Sequence, residues 1–251
     1  MRASAGPDHG RLAVERPCVW LLDVTATGFL DLAERGLASG EEQERAASLH
    51  DPAAGRRLIA RRTALRLVLG RYLERDPSDV RIVTAPGGKP VLVPDSRNVP
   101  PGRGTEGTGS GPPRSLAFSV AHSGDLYGIA VGRVGSLGLD LERLRDVSRA
   151  TAIAQRWFGQ AEARHLAGLG AEELQREFMR LWTGKEALAK CHGAGLRLMT
   201  GGDVELDVDT AVRSGRLRSF PLADGYVGAV ASTEIIGDIE VVRPDAEAWI
   251  T

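Results

Sequence analysis

Twice along its 251 residues the chain sets out the same order of elements: a strand, short helices, one long helix, then strands. This doubled order limits the fold more than any single motif does. In the first pass Val19 to Val24 is an apolar strand, and Asp31 to Leu49 carries apolar residues at helical intervals broken by Gly36 and Gly40, which predicts two short helices. Ala53 to Leu73 then reads as one long helix, Val80 to Thr84 as a strand, and Leu116 to Ala121 with Leu126 to Val131 as a hairpin turning at His122-Ser123-Gly124-Asp125. The second pass runs through a strand at Leu137 to Leu141, helices at Ala150 to Phe158 and Ala161 to Leu169, and a long helix at Ala171 to Cys191. Strands are predicted after it at Val204 to Val208, Arg216 to Phe220, Tyr226 to Ala231 and Ile239 to Val242. Two similar halves are therefore expected, 11–134 and 135–251, meeting near Gly132 to Gly135. Residues 1–10 are small and polar, and 94–113 collapse to Gly, Pro, Ser and Thr, so the first is read as a disordered N-terminus and the second as a flexible surface insertion.

Charge narrows the partners. Lys plus Arg number 32 against 33 Asp plus Glu, a formal net charge of -1, so no overall basic field argues for nucleic acid. Attraction for phosphate must be local. Along the long helix at Ala53 to Leu73, Arg56, Arg57, Arg61, Arg62, Arg66 and Arg71 run beside an apolar stripe of Leu58, Ile59, Leu65, Leu69 and Leu73, a cationic face whose competing reading is an ordinary solvated one. The two cysteines, Cys18 and Cys191, lie in no metal-binding spacing, which fits a reduced, cytoplasmic setting. The longest apolar runs fall far short of a bilayer and the N-terminus lacks a signal-peptide core, so neither membrane insertion nor export is expected.

Two acidic motifs carry the chemistry. In Gly138-Leu139-Asp140-Leu141-Glu142, read as a strand, Asp140 and Glu142 are two apart and project from one face. In Trp182-Thr183-Gly184-Lys185-Glu186-Ala187-Leu188-Ala189-Lys190, read as a helix, Trp182, Glu186 and Lys190 recur every fourth residue and share a stripe. Three carboxylates with no Cys or His beside them suit a hard ion such as Mg2+, which keeps waters and completes its shell with substrate phosphates. The competing structural reading is an ordinary i,i+4 ion pair between Glu186 and Lys190. Trp182 is expected to pack the helix onto the core, Cys191 and His192 to be structural, and Gly193 and Gly195 to end the helix.

Taken in order, Gly88-Lys89-Pro90, Phe118-Ser119-Val120-Ala121-His122-Ser123, the Asp140/Glu142 motif, the Glu186/Lys190 motif and Gly193-Ala194-Gly195-Leu196 resemble the 4'-phosphopantetheinyl transferase superfamily. With the arginine-rich helix the resemblance covers roughly Leu49 to Leu196, and the chain length points to the surfactin-synthetase-activating (Sfp) type. It implies an α+β fold in which two halves form a pseudo-dimer within one chain, hence a monomer. It also implies transfer of the 4'-phosphopantetheine arm of coenzyme A to a serine of an apo acyl or peptidyl carrier protein, with release of adenosine 3',5'-bisphosphate. By the same resemblance Asp140, Glu142 and Glu186 would bind Mg2+, or Mn2+ in its place, and Glu186 or a water it orients would take the serine proton. Lys190 would stabilise or protonate the departing bisphosphate, and Arg57, Arg62, Lys89, His122 and Ser123 would contact coenzyme A. Ala121 stands where many members have Ser, which implies one hydroxyl contact fewer. Two other readings of the same residues are a non-catalytic coenzyme A or carrier-protein binding module and a metal-dependent phosphohydrolase.

Overall fold

Alternate residues of almost every strand face different neighbours, and this period of two sorts the molecule into layers. The computed structural model describes residues 16–26, 28–85, 88–93, 115–193, 207–222 and 225–244. The first sheet orders its strands β4 (Ala117–Ser123), β5 (Leu126–Gly132), β1 (Cys18–Asp23) and β9 (Glu240–Val242). The second orders β6 (Leu137–Arg143), β8 (Tyr226–Ser232) and β7 (Leu217–Leu222). In each, the first strand of the half pairs with the third and the third with the second, all antiparallel, so the two sheets share one connectivity.

Cys18, Trp20 and Leu22 of β1, with Tyr127, Ile129 and Val131 of β5, face the long helix α2 (Pro52–Leu73) and its buried Leu65, Leu69 and Leu73. On the opposite face Val19, Leu21 and Ala130 meet Leu137, Leu139, Leu141 and Val230 of the second sheet in a core that lies between the sheets. Ala229 and Ala231 of β8 face the other long helix, α5 (Ala171–His192), which is banked by α3 (Ala150–Trp157) and α4 (Gln160–Ala167). The order of layers is therefore helix, sheet, sheet, helix. Burial of these apolar side chains contributes roughly 25 cal/mol per Å² removed from water.

The start of α2 and the end of α5 fall at residues suited to them. Asp51 caps α2 by accepting from the Ala53 backbone N–H, and Pro52 sits in the first turn. Gly193 takes the left-handed conformation at φ 72° that closes α5. A short helix α1 (Gly40–Ala47) opens on a capping box between Ser39 and Glu42.

Several expectations are altered. The first of the two short helices is a 3-10 segment at Leu30–Arg35. The turn at Ala85 to Pro90 joins β2 (Ile82–Thr84) to an unforeseen partner, β3 (Pro90–Leu92). Residues 1–10, the insertion 94–113 and Val204 to Leu206 of the predicted strand Val204 to Val208 lie outside the described residues. Val208 itself begins a helix, α6 (Val208–Arg213), because Asp207 caps it through the Thr210 backbone N–H. The last strand, β9, is assigned by sequence order to the second half but runs parallel to β1 in the first sheet. No helix among the described residues is long and apolar enough to cross a membrane.

Candidate active site

Strand β6 lies directly under α5, and the contact depends on Gly138. A side-chain carbon there would overlap the Ala187 carbonyl oxygen and come within 2.5 Å of the Cys191 nitrogen. Because the glycine admits the helix so closely, Asp140 and Glu142, two and four residues along the same face, end up beside Glu186 and Lys190. Leu139 and Leu141 point the other way into the core between the sheets, which keeps the acidic face turned to α5.

Asp140 is 6% exposed, and its Oδ1 accepts a 2.7 Å hydrogen bond from the Lys190 ammonium. Its Oδ2 is buried and has no hydrogen-bond partner among the described residues. Burial pushes the carboxyl up to about 7, the Lys190 ammonium opposes this, and the negative charges of Glu186 and Glu142 reinforce it. The pairing with Lys190 favours ionisation, yet desolvation of a nearly enclosed carboxylate outweighs it. Glu186 is raised as well, first by burial and also by Glu142, with Lys190 opposing. It makes no hydrogen bond or ion pair among the described residues, and in particular none with Lys190. The ammonium reaches across to the strand instead of along the helix.

Glu142 is oriented from the other sheet. Ser123 at the end of β4 donates its hydroxyl to Glu142 Oε2 at 3.1 Å while accepting from the Arg143 backbone N–H at 3.1 Å. Ser119, two turns of pleat earlier on β4, accepts from the Leu139 N–H at 3.0 Å. Two serine hydroxyls thus satisfy the unpaired edge of β6 in place of a backbone ladder, and one of them fixes a carboxylate.

Among the described residues no three His, Cys, Asp or Glu side chains are gathered tightly enough to clasp one ion. Asp140 feels the charges of Glu142 and Glu186, and the Lys190 ammonium is bonded to it. Oxygen donors, an unpartnered buried carboxylate oxygen and mutual repulsion are nevertheless what a hard divalent cation relieves.

The basic residues expected around coenzyme A are placed unevenly. Lys89, in the β2–β3 turn, donates from its Nζ to the Lys190 carbonyl at 2.9 Å and the Leu137 carbonyl at 3.2 Å. It thereby neutralises the negative end of the α5 dipole and ties the first half to the helix and strand of the site. Arg57 pairs with Asp51 at 3.1 Å on the surface. Arg62 lies 3.4 Å from Glu42 of α1, which also holds the buried Arg66 at 2.8 Å. His122 is exposed at the end of β4, and its cross-strand partner is the buried Tyr127. Trp182 stacks on Phe178 at 6.0 Å between ring centres and packs into the core, as its helical position predicted. Cys191 and Ser136 are bonded to each other's backbone carbonyls, a structural role. Ala194, Gly195 and Leu196 lie outside the described residues.

Arg61 was not singled out by its sequence setting. Its Nε donates to the Arg57 carbonyl at 3.3 Å, and it has no carboxylate partner among the described residues. Burial, together with the Arg57 and Arg62 guanidinium groups, pushes it below the usual guanidinium range, while Tyr127 acts in the opposite sense. Arg61 and His122 therefore both neighbour Tyr127, and Ser123, next to His122, touches Glu142. No periodicity distinguishes Arg61 from Arg56, Arg57, Arg62 and Arg66; only the carboxylates that those four find do.

The raised carboxyl of Asp140 contributes a pH dependence to the stability of the metal-free fold. Asp140 in the folded protein holds its proton up to about pH 7, whereas an unfolded aspartate releases it near 3.9. Between those values the folded state binds more protons, so stability is fullest below the unfolded value and falls as pH rises toward 7. In metal-free buffer the thermal midpoint should drop between about pH 5 and 7, and Asp140→Asn should flatten that slope. An unchanged slope in the variant would remove Asp140 as its source.

A family model described as the 4'-phosphopantetheinyl transferase superfamily matches residues 136–227, the stretch that contains β6 and α5. The 4'-phosphopantetheinyl transferase HetI of Nostoc is 31% identical over 211 residues, covering 84% of this chain and 77% of that protein. A putative 4'-phosphopantetheinyl transferase of Synechocystis is 31% identical over 181 residues, covering 72% of this chain and 66% of that protein. The Bacillus subtilis 4'-phosphopantetheinyl transferase Sfp is 24% identical over 205 residues, covering 77% and 81% respectively.

Proposed function

Because the chain belongs to the 4'-phosphopantetheinyl transferase superfamily, we propose that the acidic face between β6 and α5 transfers the phosphopantetheine arm of coenzyme A to a serine of an apo carrier protein. The observation that carries this reading is the buried, unpartnered Oδ2 of Asp140, set among two further carboxylates and a lysine. An oxygen left so costs free energy unless a cation meets it in the working state.

Asp140, Glu142 and Glu186 would hold Mg2+, which when bound would neutralise diphosphate charge and polarise the phosphorus under attack. Glu186 carries no hydrogen bond among the described residues and is raised above the usual carboxylate range, which suits it to accept the serine proton directly or through a water. Lys190, whose side chain is 32% exposed, can turn from Asp140 to the leaving bisphosphate. Ser123 supports the reaction by aiming Glu142. We assign His122 and Arg61 to the nucleotide phosphates ahead of Arg57 and Arg62, since the latter two already engage carboxylates. The two like-connected sheets support a pseudo-dimer within one chain, with the site where the second half's strand and helix meet the first half's β4.

Arg61 offers a measurable share. A charge-assisted hydrogen bond to phosphate contributes about 1.5–3 kcal/mol, so Arg61→Ala should raise KM for coenzyme A by about tenfold or more while kcat changes little. A KM unchanged within twofold would place the phosphates elsewhere.

Product analysis separates transfer from hydrolysis. With Mg2+ and coenzyme A, adenosine 3',5'-bisphosphate should form only when an apo carrier is present. Its release without any acceptor would favour a phosphohydrolase.

A further inference from the structure

The lysine of the site holds one oxygen of Asp140, beside the unpartnered oxygen that a metal ion would meet. Lys190 Nζ is 2.7 Å from Asp140 Oδ1, inside a cluster where Glu142 and Glu186 add negative charge and no metal-holding group is assembled among the described residues. A monovalent ammonium and a divalent cation cannot share one carboxylate at close range without strong repulsion. Asp140 is almost wholly enclosed, whereas the Lys190 side chain is about a third exposed on a flexible four-carbon stem, so the lysine is the member that moves.

We propose that Lys190 is an exchangeable counter-ion: it holds Asp140 until coenzyme A arrives, and the nucleotide phosphates, by drawing the ammonium away, open Asp140 to the metal. The inference rests on the transferase reading of this site and adds to it a rule of binding, in which metal and coenzyme A each strengthen the other. Such coupling is reciprocal and typically amounts to about 5–150-fold. Without coenzyme A the ammonium neutralises a carboxylate cluster that would otherwise repel itself. With coenzyme A the same ammonium would gain phosphate oxygens, and the vacated carboxylate of Asp140 would be available to hold the metal. Lys190 is then a positioning residue in the free protein and a ligand of substrate in the complex.

The test reads metal binding directly, by titrating Mn2+ into the full chain and following the free-ion electron paramagnetic resonance signal, with and without coenzyme A. Wild-type protein should bind Mn2+ weakly alone and about tenfold tighter or better with coenzyme A. Lys190→Met, and equally Lys190→Gln should the methionine variant fail to fold, should bind Mn2+ about tenfold tighter than wild type without coenzyme A and lose most of the gain on adding it. Lys190→Arg keeps the charge and should stay weak. Two results would overturn the proposal: neutral variants that bind Mn2+ no tighter than wild type, or a coenzyme A effect of equal size in all of them. Wild-type carrier transfer, assayed separately, keeps the two readings apart. Transfer without this coupling removes the counter-ion role alone, and coupling without transfer removes the enzymatic reading alone.

Discussion

Glu186→Gln is expected to lower the rate of carrier modification by about a thousandfold and to leave the thermal midpoint of the metal-free protein unchanged or slightly raised. The loss combines a metal ligand with a proton acceptor, each worth several kcal/mol at the transition state, and every ~1.36 kcal/mol is a factor of ten in rate. The second half of the expectation follows from electrostatics. Glu186 makes no hydrogen bond among the described residues, so the amide breaks none, and its charge raises Asp140 by repulsion. Removing that charge relaxes a crowded site. A residue whose removal costs activity but not stability is held for function. Rate and thermal unfolding measured on the same preparation check it: near wild-type transfer would refute the assignment of Glu186, and a large fall in midpoint would make its role structural.

Gly138→Val should act through the fold. At this position any side chain meets backbone on α5, the Ala187 carbonyl and the Cys191 nitrogen, and backbone cannot swing aside as a flexible side chain would. Overpacking of this kind costs about 1–3 kcal/mol and more where the obstruction is rigid, so a loss of about 3 kcal/mol, or roughly 10 °C in thermal midpoint, is expected. Activity should fall further than stability, because a helix pushed off β6 carries Glu186 and Lys190 away from Asp140. Measured below the variant's midpoint, transfer should remain at least about a hundredfold reduced. Wild-type stability would mean that α5 does not approach β6 as closely as described.

Much of this arrangement is legible in the chain because it obeys short-range rules. The apolar run Val19 to Val24 announces a strand buried on both faces, the alternation in Leu137 to Leu141 a strand with one apolar face, and Gly193 the end of α5. Asp140 with Glu142, and Glu186 with Lys190, can be placed on common faces by counting residues. Counting fails wherever the partner is distant in sequence. The Lys190 ammonium looks committed to Glu186, four residues away, but is drawn to a carboxylate 50 residues away because β6 passes beneath α5. Arg62, matched by resemblance to a coenzyme A contact, meets Glu42 instead once α1 packs against α2, as Arg66 does. Lys89 likewise finds the carbonyls at the end of α5, 101 residues on. The return of β9 to the first sheet is invisible for the same reason, since three residues at an edge carry no signal about which sheet they extend.

The central claim is that this acidic face performs phosphopantetheinyl transfer, and the intact mass of a carrier protein tests it most directly. Apo carriers of fatty acid, polyketide and nonribosomal peptide synthesis, each incubated with the protein, coenzyme A and Mg2+, are weighed by mass spectrometry before and after. At least one should gain the mass of a single phosphopantetheine on its serine, and the gain should vanish with chelator and with Glu186→Gln. Unchanged masses across the whole panel, with coenzyme A still bound, would contradict the account and leave a binding module in its place.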